Sequence, residues 1–192
     1  MMRRKALSIL LSVSVLGSGL TACQGGSAEN ADAKPVHPAA IARPAGDARG
    51  TALLGDAVDL GGRASGEHLR MSATAYVDPA VPVRKTGVPV SRPAEGMRRV
   101  GIRVALLNVG GSSYDASGTQ TWVTDTAGKR HPAVSGGEIT TGLPVKWNIL
   151  AAGESVDGWL LFDVPESAAL TQFHGDLGKS VVEWRLQAPP SR

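Results

Sequence analysis

The sequence predicts an all-β fold, an antiparallel β-sandwich, carried behind an export signal and a disordered tether. Three observations lead to it. From Thr51 onward, apolar and polar residues alternate with period two in several separate runs, as in strands with one buried face. Gly, Pro and Asp punctuate these runs, and no long helical period is visible. The chain has one cysteine in 192 residues, so apolar packing, not a disulfide between sheets, must hold the sandwich together.

The elements follow in order. Met1 to Lys5 reads MMRRK; Ala6 to Leu20 carries no charge and contains Leu7, Ile9, Leu10, Leu11, Val13, Val15 and Leu16. A basic start followed by an apolar stretch is the layout of a secretory signal peptide. A permanent transmembrane helix needs about 20 apolar residues. This run is shorter and is diluted by Ser8, Ser12, Ser14, Gly17, Ser18 and Gly19, so residues 1–22 are read as a removable signal. The Arg3-Arg4 pair follows Met2 and precedes Lys5-Ala6, a poor twin-arginine context, so Sec export is expected.

The signal ends in Leu20, Thr21, Ala22 and Cys23. This resembles the lipobox of bacterial lipoproteins, Leu-(Ser/Thr/Ala)-(Gly/Ala)-Cys. The resemblance implies diacylglycerol on the Cys23 thiol, cleavage after Ala22, and acylation of the new amino terminus by a palmitate-type chain. Two or more acyl chains attach a protein stably, whereas one chain is marginal.

Export also changes the charge. The chain has 20 Lys+Arg against 17 Asp+Glu, a net charge of +3. Arg3, Arg4 and Lys5 leave with the signal, which holds no acid, so 17 basic and 17 acidic residues remain. The remaining chain is neutral, and its overall charge gives no reason to expect nucleic-acid binding. Gln24 to Gly50 is rich in Gly, Ala, Pro and Ser and has few large apolar residues beyond Val36 and Ile41. It cannot bury enough surface to offset the entropy of ordering. With Cys23 it forms a 23–50 tether, whose r.m.s. reach as a flexible coil is about 30 Å.

The folded domain is placed at 51–188, with a tail at 189–192. Its clearest strands alternate at Leu69, Met71, Ala73, Ala75 and Val77; at Val100, Ile102, Val104 and Leu106; at Val156, Gly158, Leu160, Phe162 and Val164; and at Val182, Trp184 and Leu186. Shorter candidates are Ala57 to Leu60, Gln120 to Thr124, Arg130 to Val134 and Val145 to Leu150. Asp125-Thr126-Ala127-Gly128 is a turn, with Gly128 at the position that needs positive φ. Asp78 to Gly96 carries Pro79, Pro82, Pro89 and Pro93 and reads as a long, partly rigid loop. Trp184 and Phe162 are expected at the centre of the core.

Two stretches carry a family resemblance. Leu150 to Pro165 reads LAAGESVDGWLLFDVP, and Trp122 to His131 reads WVTDTAGKRH. Together with Arg99 to Val109, ending near Asn108, they resemble the telokin-like, immunoglobulin-like domain of unknown function of Gram-positive secreted lipoproteins. The resemblance covers roughly Leu53 to Leu186 and implies an immunoglobulin-like sandwich. The Pro-rich loop departs from the pattern, as does His131, which stands where the family usually has Tyr or Phe. The motif itself is structural. Gly153-Glu154 makes a turn, Gly158 allows a close approach, Phe162 fills the core, and Pro165 ends a strand.

Little in the sequence points to catalysis. His37, His68, His131 and His174 have no His-x-His or His-x-x-x-His spacing, so they read as surface histidines and no metal site is expected. There is no Gly-x-Ser-x-Gly elbow; Gly110-Gly111-Ser112-Ser113 reads as a loop. Asp115, Asp125, Asp157 and Asp163 read as turn formers and solvated strand residues. Gly61-Gly62 and Gly136-Gly137 lack the Lys-Ser/Thr ending of a phosphate loop. No catalytic residue, cofactor or metal is expected.

Two surfaces stand out as binding candidates. Arg84, Lys85, Arg92, Arg98, Arg99 and Arg103 have only Glu95 among them as an acid, a charge run suited to an anionic wall polymer or lipid headgroup. Trp159 and Leu161 lie on the strand face opposite Leu160 and Phe162, so they form either an exposed partner patch or a covered face. Large apolar patches are rarely left open, and the Pro-rich loop or the Ala168 to Phe173 connection would supply the cover. Carbohydrate binding would want several exposed aromatics, in which this chain is poor.

The expectation is a lipoprotein anchored at the outer face of a Gram-positive cell membrane, with a non-catalytic binding module for a protein or cell-wall partner. An accessory or inhibitory subunit of an envelope protein is the first alternative. A hydrolase with a loop-assembled site is the second.

Overall fold

Alternation rich in β-branched and aliphatic residues favours a pleated, half-buried strand, and strands are what these runs form. The computed structural model describes residues 51–86 and 91–186. The signal, the tether and the tail lie outside the described residues. The strands are β1 Ala52–Leu53, β2 Ala57–Gly61, β3 Glu67–Val77, β4 Met97–Gly111, β5 Tyr114–Asp115, β6 Gln120–Asp125, β7 Arg130–Val134, β8 Ile149–Leu150, β9 Ser155–Pro165, β10 Leu170–Asp176 and β11 Val181–Arg185. One 3₁₀ turn, Ala116–Gly118, follows β5.

Nine strands pair in the order β1-β11-β10-β6-β7-β9-β4-β3-β2, and β5 pairs separately with β8. All pairings are antiparallel except β1 with β11. β7 joins the two sheets. It pairs with β6 at Trp122, Val123 and Thr124, then with β9 at Phe162 and Leu161. The result is an all-β sandwich, as the alternation predicts.

The core lies between the inner faces. Val100, Ile102, Val104, Leu106, Phe162 and Val164 meet Val123, Phe173, Val182 and Trp184. Phe173 packs edge-on to Phe162 at 6.1 Å and stacks on Trp184 at 5.4 Å. Trp184 buries its ring fully, and its Nε1 donates to the Asp56 carbonyl at 3.1 Å. Each large side chain buried this way contributes about 1.5–3 kcal/mol.

Several elements differ from the sequence expectation: the two-residue strands β1 and β5 carry no alternation to announce them, and β4 runs on through Gly110 and Gly111, which read as loop. Leu170 to Asp176 is a strand rather than a connection, with Phe173 its one fully buried large residue and Leu170 packed at the core's edge. Gly175 sits on the same face, where a side chain would strike Met71 Sδ at 2.9 Å. A single aromatic and a glycine leave too little alternation to recognise. Conversely, only Ile149 and Leu150 of the expected Val145–Leu150 strand are extended and paired. The turns behave as expected: Gly128 and Gly153 have φ of 78° and 85°. At Gly158 a Cβ would lie 2.6 Å from the Val145 backbone, and this close approach lets Val145 N–H donate to the Trp159 carbonyl.

Candidate functional site

Neither predicted surface forms. Trp159 and Leu161 are 6% and 2% exposed, so the partner-patch reading is corrected to a covered face. They form a second small core with Ala80 and Ile139, flanked by Ala75, Val77 and Val134. The cover comes from the Pro-rich segment together with the stretch around Ile139, and Trp159 Nε1 donates to the Thr141 carbonyl at 3.1 Å.

The charge run is also not a free cationic surface. Arg98 pairs with Asp78 at 2.9 Å, Arg99 with Asp163 at 2.7 Å, Arg103 with Asp157 at 2.7 Å and Lys85 with Glu138 at 2.6 Å. Arg99 is only 6% exposed. Arg98 also donates to the carbonyls of Pro165, Glu166 and Ala168, so it pins a loop. Only Arg84 and Arg92 of the six remain exposed without a carboxylate among the described residues. The counter-charges come from sheet partners distant in sequence, which is why the run looks unbalanced when read locally. Leu20, Thr21, Ala22 and Cys23 lie outside the described residues.

Two of the histidines expected on the surface are buried. His131 and His174 are 4% and 6% exposed, whereas His68 is exposed. His131 Nε2 donates to Asp125 Oδ2 at 2.9 Å. Asp125 Oδ1 accepts from the Ala127 and Lys129 N–H groups, so one carboxylate locks the β6–β7 turn. Donation from His131 and then from the Lys129 N–H holds the Asp125 carboxyl below its usual range, against the opposing effect of burial. Burial lowers the pKa of His174, Glu183 opposes this, and Arg130 reinforces it.

The β6–β7 hairpin builds one side of the candidate site. Its register sets Trp122 opposite Pro132 and Thr124 opposite Arg130, and cross-strand partners share a face. On β10, His174 lies opposite Trp122. The imidazole stacks on the Trp122 ring at 5.0 Å and 9°, and the Arg130 guanidinium sits over that indole at 4.8 Å. His174 Nε2 shares a hydrogen bond with Thr124 Oγ1 at 2.9 Å, and its Nδ1 lies 3.5 Å from Glu183. A groove of about 530 Å³ opens beside this stack, walled by Trp147, Pro132, Leu160 and Trp122, with Arg130, Gln120 and Asp176 along it. Trp122 Nε1 is buried without a hydrogen-bond partner, an uncommon state for an indole N–H. Among the described residues, no three His, Cys, Asp or Glu side chains gather to hold a metal ion.

Sequence reasoning missed this groove, although half of it was available. An Asp125–Gly128 turn fixes the hairpin register, and that register alone puts Trp122 and Arg130 on one face. Trp147 and His174 come from elements with no such local signal.

Fold and site together define a β-sandwich module with an aromatic, mixed-charge groove beside its hairpin. The chain belongs to the DUF4352 family, a domain of unknown function, whose model matches residues 64–179. No curated protein matches it. Its fold is similar to that of MPT63, a secreted protein of Mycobacterium tuberculosis, with TM-score 0.52 and 14% identity over 71% of this chain and 96% of that one. A β-sandwich protein of Clostridium difficile 630 has TM-score 0.45 and 9% identity, covering 76% of this chain and 100% of that one. The ycdA protein of Bacillus subtilis, described as a candidate lipoprotein, has TM-score 0.43 and 12% identity, covering 67% of this chain and 39% of that one.

Proposed function

We propose that the chain is an extracytoplasmic lipoprotein of a Gram-positive bacterium, anchored through lipid on Cys23, and that its sandwich is a non-catalytic binding module. The groove beside Trp122 carries the binding part of this reading. It is open and has a volume typical of small-ligand sites, about 300–1,000 Å³. Its lining combines two tryptophans with Arg130, Asp176, Gln120, Thr119 and Thr121, a few polar groups set among apolar walls.

The apolar run before Leu20-Thr21-Ala22-Cys23 supports the anchor, and the fold's likeness to a protein described as secreted agrees with that placement. A domain with nearly balanced charge and a tether with about 30 Å of reach would hold the groove clear of the headgroups.

Two measurements test the two halves. Globomycin, which blocks lipoprotein signal processing, is expected to make the unprocessed precursor accumulate, and Cys23→Ala is expected to release the chain from membranes. Normal processing would sink the anchor. For the groove, immobilised full chain is offered separate cell-wall and membrane-protein fractions. Wild type is expected to retain one of them and Trp147→Ala to lose it; equal retention by the variant removes the groove as the binding surface.

A further inference from the structure

We propose that the groove receives an anionic sugar, with its carboxylate or phosphate on Arg130 and its ring against Trp147. The inference rests on the groove being the binding surface and names the ligand class it takes.

Arg130 is the starting point. Arg70, Arg98, Arg99 and Arg103 also lie on strands, and each has a carboxylate oxygen at 2.6 to 2.9 Å. Arg130, on β7, has no carboxylate within 4.0 Å among the described residues; neither has Arg185 at the end of β11, but of these two only Arg130 lies over a tryptophan. The Trp122 ring holds its guanidinium instead, at 4.8 Å. A guanidinium lying over an indole is satisfied on its face and leaves its N–H edge available. That edge is a planar fork matched to two oxygens of one carboxylate or phosphate.

The stack is fixed before any ligand arrives. His174 stacks on Trp122 from β10, on the side of β6 opposite β7, and Thr124 shares a 2.9 Å hydrogen bond with His174. Glu183, beside His174, is engaged with His174 and Gln172. A receptor arranged in advance loses less entropy on binding.

The rest of the groove selects what carries the anion; it gathers two of the four tryptophans in one place, so the low aromatic content that argued against a carbohydrate site does not apply to this groove. Asp176 pairs with Gln120 at the start of β6, whereas Arg130 pairs with Thr124 four residues along. At about 3.3 Å per residue this separates the two backbone positions by about 13 Å along the strand, although the Arg130 guanidinium reaches back over Trp122, two residues from Gln120. Asp176 and Gln120 offer acceptors for hydroxyl groups, and Trp147 and Pro132 supply the apolar wall between the ends. One anionic end, a flat apolar side and a hydroxyl-rich end describe a sugar acid or a sugar phosphate. An acidic peptide suits the groove less well, because Asp176 would repel a second negative charge.

Intrinsic tryptophan fluorescence of the purified full chain in detergent micelles reads binding directly, since two of the four tryptophans line the groove. The probes are glucuronate, glucose 6-phosphate, glucose and a glutamate-rich peptide. Saturation by an anionic sugar is expected, with glucose weaker by roughly tenfold or more, as befits loss of a charge-assisted pair. The tighter of the two anionic sugars identifies carboxylate or phosphate as the preferred group. Arg130→Gln is expected to weaken anion binding by about tenfold with a shift of no more than a few degrees in the thermal unfolding midpoint from the lost contact over Trp122, and Arg130→Lys to fall between the two. Four results would overturn the inference: glucose binding as tightly as the anionic sugars, unchanged binding by Arg130→Gln, tighter binding of the peptide, or no saturation by either anionic sugar. If envelope retention still depends on Trp147 in those cases, the groove stands and the ligand class alone falls.

Discussion

At the scale of single residues, much of the polar chemistry is spent on fixing positions. Arg99 and Asp163 lie opposite each other across β4 and β9 and form a two-pronged pair at 2.7 and 2.8 Å. Removing one partner of a buried pair leaves an uncompensated charge and costs about 3–5 kcal/mol. Asp163→Ala is therefore expected to lower stability by that order in urea unfolding, and a loss under about 1 kcal/mol would show that water reaches Arg99 after all. The titratable groups also make the fold acid-sensitive. His174 has a lowered pKa, chiefly through burial, so the unfolded chain binds its proton first. That stability is complete above about pH 6.5 and drains away below it. Asp78 is raised by burial, but donation from Arg98 and Tyr76 more than reverses this. Asp125 is lowered chiefly by His131. Both contribute stability above about pH 3.9, lost as pH falls through their depressed values. The urea midpoint should fall first between about pH 7 and 5, and His174→Gln should flatten that step. A second fall should follow in the carboxylate range, reduced in Asp78→Asn.

At the scale of elements, β9 shows how far a strand can be read from its sequence. Its inner residues Leu160, Phe162 and Val164 were legible from alternation, because they face a core built by other alternating strands. Trp159 and Leu161 were ambiguous, because their environment depends on Ala80 and Ile139, which lie in segments with no period of their own. β10 escaped notice for the same reason in reverse, since Phe173 is its one fully buried large residue and a register irregularity separates it from Leu170. Covering β9 on its second face requires the backbone at Val145 to run against Gly158. Gly158→Ala would set a Cβ 2.6 Å from Val145 Cα and N, contacts that rigid backbone cannot relieve by rotating a side chain. The variant is expected to lose about 1–3 kcal/mol in urea unfolding. Wild-type stability would mean that the 143–145 stretch moves aside freely.

At the scale of the whole molecule, the sheets are unequally held, and the groove sits where that inequality begins. β4 is flanked by β3 and β9 over most of its length, with Leu106, Val104, Ile102 and Val100 all fully buried. β7 is short and touches β9 through only two residue pairs, Ala133 with Phe162 and Val134 with Leu161. Local opening follows the number of buried apolar contacts and protected hydrogen bonds. Amide hydrogen exchange should therefore be slowest in β4 and the middle of β9, approaching the rate set by global unfolding. It should be faster in β7 and fastest in β1, β5 and β8, which are two residues each. The groove then has one wall on a firm sheet and one on a strand able to yield. Ligand at Arg130 is expected to slow exchange across β7 and the facing part of β6, leaving β4 unchanged. Uniform exchange along β4 and β7, or protection spread evenly over both sheets, would show that the sandwich opens only as one unit and that β7 is no weaker than its neighbours.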